Sequence, residues 1–427
     1  MQQLLKRVLE YGSINLFKIS QDKKEFKKLR RTITSENKQT DFNPEQINEV
    51  LRAHVSEKYA GLDDVILIHD PSEIRKPYSK HSEHLGKVRA LDNTIINGYS
   101  SFNTIAIEPF GKQINLVDHE LYSNRQPDFL SQSTVNELTS GKKAGGLEEI
   151  RGLYESDAYI TKKRMALSHI EATSKAMKAK NSQLNITHVL DREFDDGGYF
   201  SFINALDDAF IIRAKKSRTT ASLSGDIADK EKLIAHEFTH SHTMIYKKLY
   251  LSGRCFQDCR VELEWTDFGD YRAVLVHLFD RSGKAVFEAP MLLITNKKIH
   301  NPYDAFEVYS CYLKRARIEG VFKFMKEAMG WESFRLQDFN GIKALVAVGF
   351  FVASYLYEIS KKEVYDDFVV LVAEAGSAEN GKVTRHYILE GIKAILTKYR
   401  VDRVFNRNKP DEETLHSIHD MVGYDGQ

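Results

Sequence analysis

Tyr312, Arg315, Glu319 and Lys326 fall within one short segment, YLKRARIEGVFKFMK (312–326). At about 100° per residue, the spacing predicts that a helix here carries all four side chains within an arc of roughly 60°. A hydrophobic core would not take a phenol, a guanidinium, a carboxylate and an ammonium unpaired. The group therefore reads either as a carboxylate surrounded by phosphate-gripping side chains, or as a solvated face in which Arg315 and Glu319 form an ordinary i,i+4 pair. Two more carboxylates stand at the ends of apolar runs that read as buried strands, Asp70 closing VILIHD and Asp191 closing ITHVLD. Taken alone, each is as readily a cap or turn former. Their neighbours Asp63, Asp64, Asp195 and Asp196 read as turn or solvent residues.

The spacing Y-x2-R-x3-E-x6-K resembles the signature of the insertion-sequence-four family of DDE transposases, which have an RNase H-like catalytic domain. LLITN, about twenty residues upstream, resembles the strand leading into that family's catalytic helix, and DREFD at Asp191 is similar to its second-aspartate motif. The motifs cover about residues 65–330. The resemblance implies that Asp70, Asp191 and Glu319 hold two Mg2+ ions, with Mn2+ able to replace them. Carboxylates are the hard oxygen ligands Mg2+ prefers, and paired divalent ions activate the nucleophile and stabilise the leaving oxygen in phosphodiester cleavage. It further implies cleavage at transposon ends, transfer of the 3'-hydroxyl into target DNA, a homodimer in the synaptic complex, and a bacterial, nucleoid-associated location in the cytoplasm. Tyr312, Arg315 and Lys326 would position the transposon-end DNA. Two positions depart from the pattern: Glu193 stands where many members have Gly, and Met291 where several have Trp. Without an aromatic plane at 291, stacking on a flipped base is weaker, and Trp265 is the substitute within the chain.

Net charge is +1, so any attraction for DNA must come from local clusters. RAKKSR supplies Arg213, Lys215, Lys216 and Arg218; KKEFKKLRR (23–31) ends in Arg30 and Arg31; Lys398, Arg400, Arg403 and Arg407 lie near the C-terminus. Each also reads as solvated surface. A competing motif is HEFTH (236–240), a literal H-E-x-x-H, with Glu262, Glu264 or His242 as further ligands of a zinc peptidase. The following SHTMIYKKLYLSG is β-branched and alternating, so the segment runs into a strand and the two imidazoles would not converge as on a helix. Cys255 and Cys259 with these histidines could hold structural zinc. A third alternative is an inactive DNA-binding derivative, against which the intact acidic triad argues.

These residues need a scaffold, and the chain patterning describes one. Over 427 residues, 42% apolar and 28% charged composition is that of a globular protein with a substantial core. Three cysteines are too few for a disulfide framework and suit a reducing compartment. The N-terminus lacks the apolar stretch of a signal peptide, and ALVAVGFFVASYLY (344–357) is shorter than a membrane span, so it reads as a buried helix and no membrane partner is expected. FNPEQINEVLRAHVSEKYAG reads as a helix capped at Asn43, FNTIAIEP and KQINLVDH as paired strands, and 147–179 as a long helix broken near Ala158. The expected fold is α/β: an RNase H-like mixed sheet with flanking helices, interrupted by a strand-rich insertion, between helical N- and C-terminal regions. The chain divides into a helical DNA-binding region (1–61), a first part of the catalytic domain (62–216), a β-rich insertion (217–299), a second catalytic part with the Glu319 helix (300–360) and a helical C-terminal region (361–427).

Overall fold

A computed structural model describes residues 1–34, 43–140, 148–224, 231–251, 254–360, 367–378 and 383–408. Four helices come first: α1 (Gln2–Tyr11), α2 (Leu16–Ile19), α3 (Lys23–Ile33) and α4 (Pro44–Tyr59). The start of α4 follows from local chemistry, since the Asn43 side chain accepts from the Glu45 amide and Pro44 occupies the first turn. Then come β1 (Asp64–Arg75), β2 (Gly86–Arg89), β3 (Ile95–Ile107) and β4 (Asn115–Tyr122), followed by α5 (Gln132–Thr139), α6 (Glu148–Glu155) and α7 (Lys162–Lys180). The chain returns to the sheet with β5 (Asn185–Leu190), crosses through α8 (Gly197–Ala205) to β6 (Ala209–Arg213), and passes α9 (Ala221–Ser224) into β7 (His240–Leu251), β8 (Arg254–Phe268), β9 (Tyr271–Phe279) and β10 (Met291–Thr295). It ends in α10 (Pro302–Leu313), α11 (Ala316–Glu327), α12 (Phe339–Ile359), α13 (Asp367–Ala375) and α14 (Arg385–Asn408).

The described strands form one ten-stranded mixed sheet in the order β2-β3-β1-β5-β6-β10-β9-β8-β7, with β4 also paired to β3. β1, β5 and β6 run parallel, while β3 and β4 on one side and β10 to β7 on the other are antiparallel. The aromatic-rich stretch after residue 217 thus lengthens the same sheet by a meander. Alternation sorts the central strands between two layers. Val65 and Leu67 of β1 and Ile186 of β5 pack against Val55 and Tyr59 of α4 and Met177 of α7. Ile66, Ile68 and Val189 face the opposite layer, with α10, α11 and α12.

α12 is the spine of that second layer. Its 21 residues are long and apolar enough to cross a membrane, but 67% of the apolar window is buried inside the fold. The chain patterning reads as a helix around 333–360; the helix starts later, at Phe339, because the Asp338 side chain accepts from the Gly341 amide and caps it there. α1 and α3 pack on α12, α1 also on α14, and Asn15 ties the N-terminal helices to the α11–α12 connection by donating to the Ser333 carbonyl at 2.8 Å.

Candidate active site

β1 and β5 pair in parallel from Asp64 opposite Asn185 to Ile68 opposite Val189. Two residues further on in each chain lie Asp70 and Asp191, so the register brings them side by side where the pairing ends. Both share the strand face of Ile68 and Val189, and both therefore point toward α10 and α11. β1 does not stop at Asp70, as its apolar run implied; it continues to Arg75 because β3 pairs with it through Arg75 opposite Gly98. Pro71, which has no amide hydrogen, follows where the β5-side edge is no longer laddered. Asp191 instead opens a 3-10 turn, Arg192–Phe194, its carbonyl accepting from the Phe194 amide at 3.0 Å.

The 312–326 segment is two helices and not one. At Lys314 and Arg315 the backbone keeps right-handed helical angles, but its hydrogen bonds tighten to i→i+3: Arg315 donates to the Tyr312 carbonyl at 2.9 Å and Arg317 to that of Lys314 at 2.9 Å. Lys314 reaches the Pro109 carbonyl and Arg317 that of Gly111, which anchors the break on the β3–β4 connection. Tyr312 therefore ends α10, and Arg315 precedes the first turn of α11.

Across this break the motif meets the aspartates. The Arg315 guanidinium donates to Asp70 at 3.0 Å and to Glu319 at 2.8 Å, and the Tyr312 hydroxyl donates to Asp191 at 3.0 Å. Asp70 and Arg315 are largely covered, with 13% and 17% of their side chains exposed, whereas Glu319 is 56% exposed. Burial pushes the Asp70 carboxyl up to about 8; Arg315 opposes the shift, while Asp191, Glu193 and Glu319 add to it. Burial also works against ionised Asp191, but Arg315, the Arg192 amide, Tyr312 and Arg213 outweigh it and hold its pKa below the usual carboxylate value. Arg315 is itself held above its usual range, because Asp70 and Asp191 overcome its burial. Lys326, two turns along α11, is lowered by burial and by Arg75 against the pull of Glu332, 4.0 Å away.

The donor set suits a hard divalent cation, with three carboxylates from two strand ends and a helix. As the side chains stand, Arg315 lies between Asp70 and Glu319, and no group of three or more His, Cys, Asp or Glu among the described residues is placed to hold a metal ion. Arg315 is thus the resident cation, and Asp70, Asp191 and Glu319 are the residues that would take its place around a metal.

Other residues around the site divide differently from the sequence reading. Asp195 is not a solvent residue: it is 3% exposed, ion-paired with Arg218, and accepts from the Lys215 amide at 2.7 Å. Arg218 is thereby committed to the fold. Asp196 does cap a turn, accepting from the Gly198 amide at 2.8 Å at the start of α8. Arg213 and Lys216, with Arg192, line a cavity of about 250 Å³ next to Asp191. Arg30 and Arg31 end α3, on the α2 and α12 side of the molecule. Lys398 is exposed on α14, Arg400 donates to the Tyr11 hydroxyl, and the side chains of Arg403 and Arg407 lie outside the described residues. Sequence reasoning passed over Glu193 as a participant. It acts on Asp70 from the 3-10 turn and pairs with Lys162 at 2.5 Å; its place two residues after Asp191 was the available signal.

HEFTH has no helix. His236 is extended after a short 3-10 turn, and β7 begins at His240. His236 contacts Glu231 at 3.0 Å, while the His240 ring stacks on Trp265 at 5.3 Å between centroids. Cys255 is exposed and Cys259 buried, both free. No family model matches the sequence, and no curated protein matches it.

Proposed function

We propose that the chain is a DDE transposase resembling the insertion-sequence-four family, which cleaves DNA at transposon ends and joins the 3'-hydroxyl to target DNA in the bacterial cytoplasm. The observation that carries this reading is the meeting of Asp70 and Asp191, neighbours at the end of a parallel strand pair, with Arg315, which also grips Glu319. The strand order β4-β3-β1-β5-β6, an antiparallel trio followed by two parallel strands, supports an RNase H-like core. On this reading β7–β9 are an insertion between that core and the strand leading to the Glu319 helix.

Mg2+ held by Asp70, Asp191 and Glu319, or Mn2+ in its place, would supply the activated nucleophile and the charge that stabilises the leaving oxygen. The protein's own groups bind and orient the DNA. Arg315 presents a planar fork that suits a phosphate bidentately once it leaves the carboxylates, and Lys326 offers a point charge further along α11. The charge of Arg315 first, and the Tyr312 hydroxyl after it, hold Asp191 ionised, and that hydroxyl fixes the carboxylate's orientation. Arg213 and Lys216 add phosphate contacts beside β6. Two DNA ends are handled together by a homodimer.

The test is nicking of duplex DNA carrying the inverted repeats that flank the gene, with Mg2+ or Mn2+. Glu319→Gln, Asp70→Asn and Asp191→Asn should each lower the rate by about 10³-fold or more in folded protein. DNA binding without cleavage in the unaltered protein would instead mark an inactive derivative, and peptide cleavage lost in His236→Ala a peptidase.

A further inference from the structure

A groove lies beyond the carboxylate cluster, where β1 turns toward β2. Its volume is about 610 Å³, and its walls come from three places: Lys18 of α2, Arg75, Lys76 and Lys80 at the β1 end, and Arg335 of the α11–α12 connection. These five basic residues face one acid, Glu332, in a chain whose net charge is only +1. That acid is already neutralised, since Arg75 donates to its two oxygens at 2.9 and 3.2 Å. Lys76 is also used by the fold, donating to the Glu332 and Phe334 carbonyls at 3.0 and 2.5 Å. Lys18, Lys80 and Arg335 are exposed and make no ion pair among the described residues. Tyr78, 95% exposed, stands at the rim. A phenol ring fully in water beside unpaired cations is a stacking surface without a partner inside the protein.

We propose that this groove binds the phosphate backbone of nucleic acid as it leaves the carboxylate centre, with Lys18, Lys80 and Arg335 on phosphates and Tyr78 stacking on a base. Continuity with the centre favours nucleic acid over other polyanions. Asp70 and Arg75 lie on the same strand, about 17 Å apart at roughly 3.3 Å per residue, which is about five nucleotides at 3.4 Å each. Lys326 stands at the groove end of that interval, 4.0 Å from Glu332, the acid that Arg75 holds. The choice of DNA rests on the transposase reading, whereas the cationic groove does not.

The experiment measures binding by fluorescence anisotropy, without divalent cation, of a 20-base-pair duplex and the matching single strand over a range of salt. Lys18→Gln/Lys80→Gln/Arg335→Gln should weaken binding by about tenfold or more and reduce the slope of log K against log salt by about two to three, near 0.9 for each phosphate no longer neutralised. Tyr78→Ala should weaken the single strand by about tenfold and the duplex less. Unchanged melting temperatures keep the comparison meaningful, and all four positions are on the surface. Identical affinities and slopes for the triple variant and the unaltered protein would overturn the proposal, as would absence of DNA binding altogether. Binding to phosphatidylserine vesicles that is lost in the triple variant, with DNA affinity unchanged, would assign the groove to an anionic lipid surface instead. The nicking assay with Glu319→Gln is read separately: nicking that survives it removes the transposase reading but leaves a positive groove result standing.

Discussion

The Arg315 guanidinium donates to Asp70 at 3.0 Å across 245 residues of chain, and the same group holds Glu319 at 2.8 Å. One positive charge therefore keeps neighbouring acids compatible in a mostly covered place. Removing it takes away the main counter-charge that holds Asp191 ionised and leaves Asp70, already pushed up to about 8, to keep its proton. Breaking a buried pair by deleting one partner costs about 3–5 kcal/mol, less where a proton or water still reaches the group. Arg315→Ala should lose about 2–3 kcal/mol of stability near neutral pH by this rule. Millimolar Mg2+ should restore more melting temperature to that variant than to the unaltered protein, because only the variant lacks a cation among the acids. Thermal denaturation with and without Mg2+ measures both, and equal Mg2+ responses would refute the shared-cation account.

Tyr312 gives Asp191 a direct hydrogen-bond donor, adding to the charge of Arg315 that holds this carboxyl low. Its ring is buried and only its hydroxyl reaches the carboxylate. A hydrogen bond to a charged group contributes about 1.5–3 kcal/mol, so Tyr312→Phe should destabilise the fold by about 1–2 kcal/mol. Deleting one of the groups that hold Asp191 low must also raise its pKa, which NMR titration of the carboxyl carbon can follow. A variant that lost stability without moving that titration would make the hydroxyl a packing feature only.

Much of this site was legible because strands announce themselves by composition. VILIHD and ITHVLD are apolar runs broken by an acid, and both acids sit where a parallel pairing ends. The two layers of helices follow from the same alternation. What was not legible depended on partners distant in sequence. β1 runs past Asp70 only because β3 continues beside it to Gly98. Asp195 looks like one more turn acid in DREFDD until Arg218 folds over it. Helical spacing put Tyr312 and Lys326 on one unbroken face, but Pro109 and Gly111 pull the chain into a break between α10 and α11. The groove draws residues from three separate stretches, so no single window could display it.

HEFTH shows the opposite hazard, a pattern present in sequence whose geometry is missing. Zinc binding by H-E-x-x-H requires a helical turn between the histidines, and here the second begins a strand and stacks on Trp265. Protein purified with Zn2+ present should carry less than stoichiometric zinc by elemental analysis, and His236→Ala/His240→Ala should not change that content. Stoichiometric zinc lost in the double variant would contradict the described conformation.

On the far face of the sheet, Asp118 is fully buried between Arg52, 2.6 Å away, and His169 of α7, 2.9 Å away. Burial opposes ionisation of both Asp118 and His169, but His169 and Arg52 hold the carboxyl below its ordinary value, and Asp118 raises the imidazole above its own. The signs differ for the two groups. A lowered carboxyl stabilises above about 3.8, and that contribution is lost as pH falls through the folded-state value beneath it. A raised imidazole stabilises fully below about 6.5, and that contribution is lost as pH rises through the folded-state value above it. Their overlap, roughly pH 4 to 6.5, is where the charged pair acts in full. His169→Gln should therefore cost about 1–3 kcal/mol at pH 5.5, with Arg52 still neutralising Asp118, and progressively less as pH rises through the raised folded-state value of the imidazole toward pH 9. Urea denaturation of the variant and the unaltered protein at the two pH values gives the difference directly. A cost that does not shrink toward pH 9 would show that His169 contributes shape and packing alone.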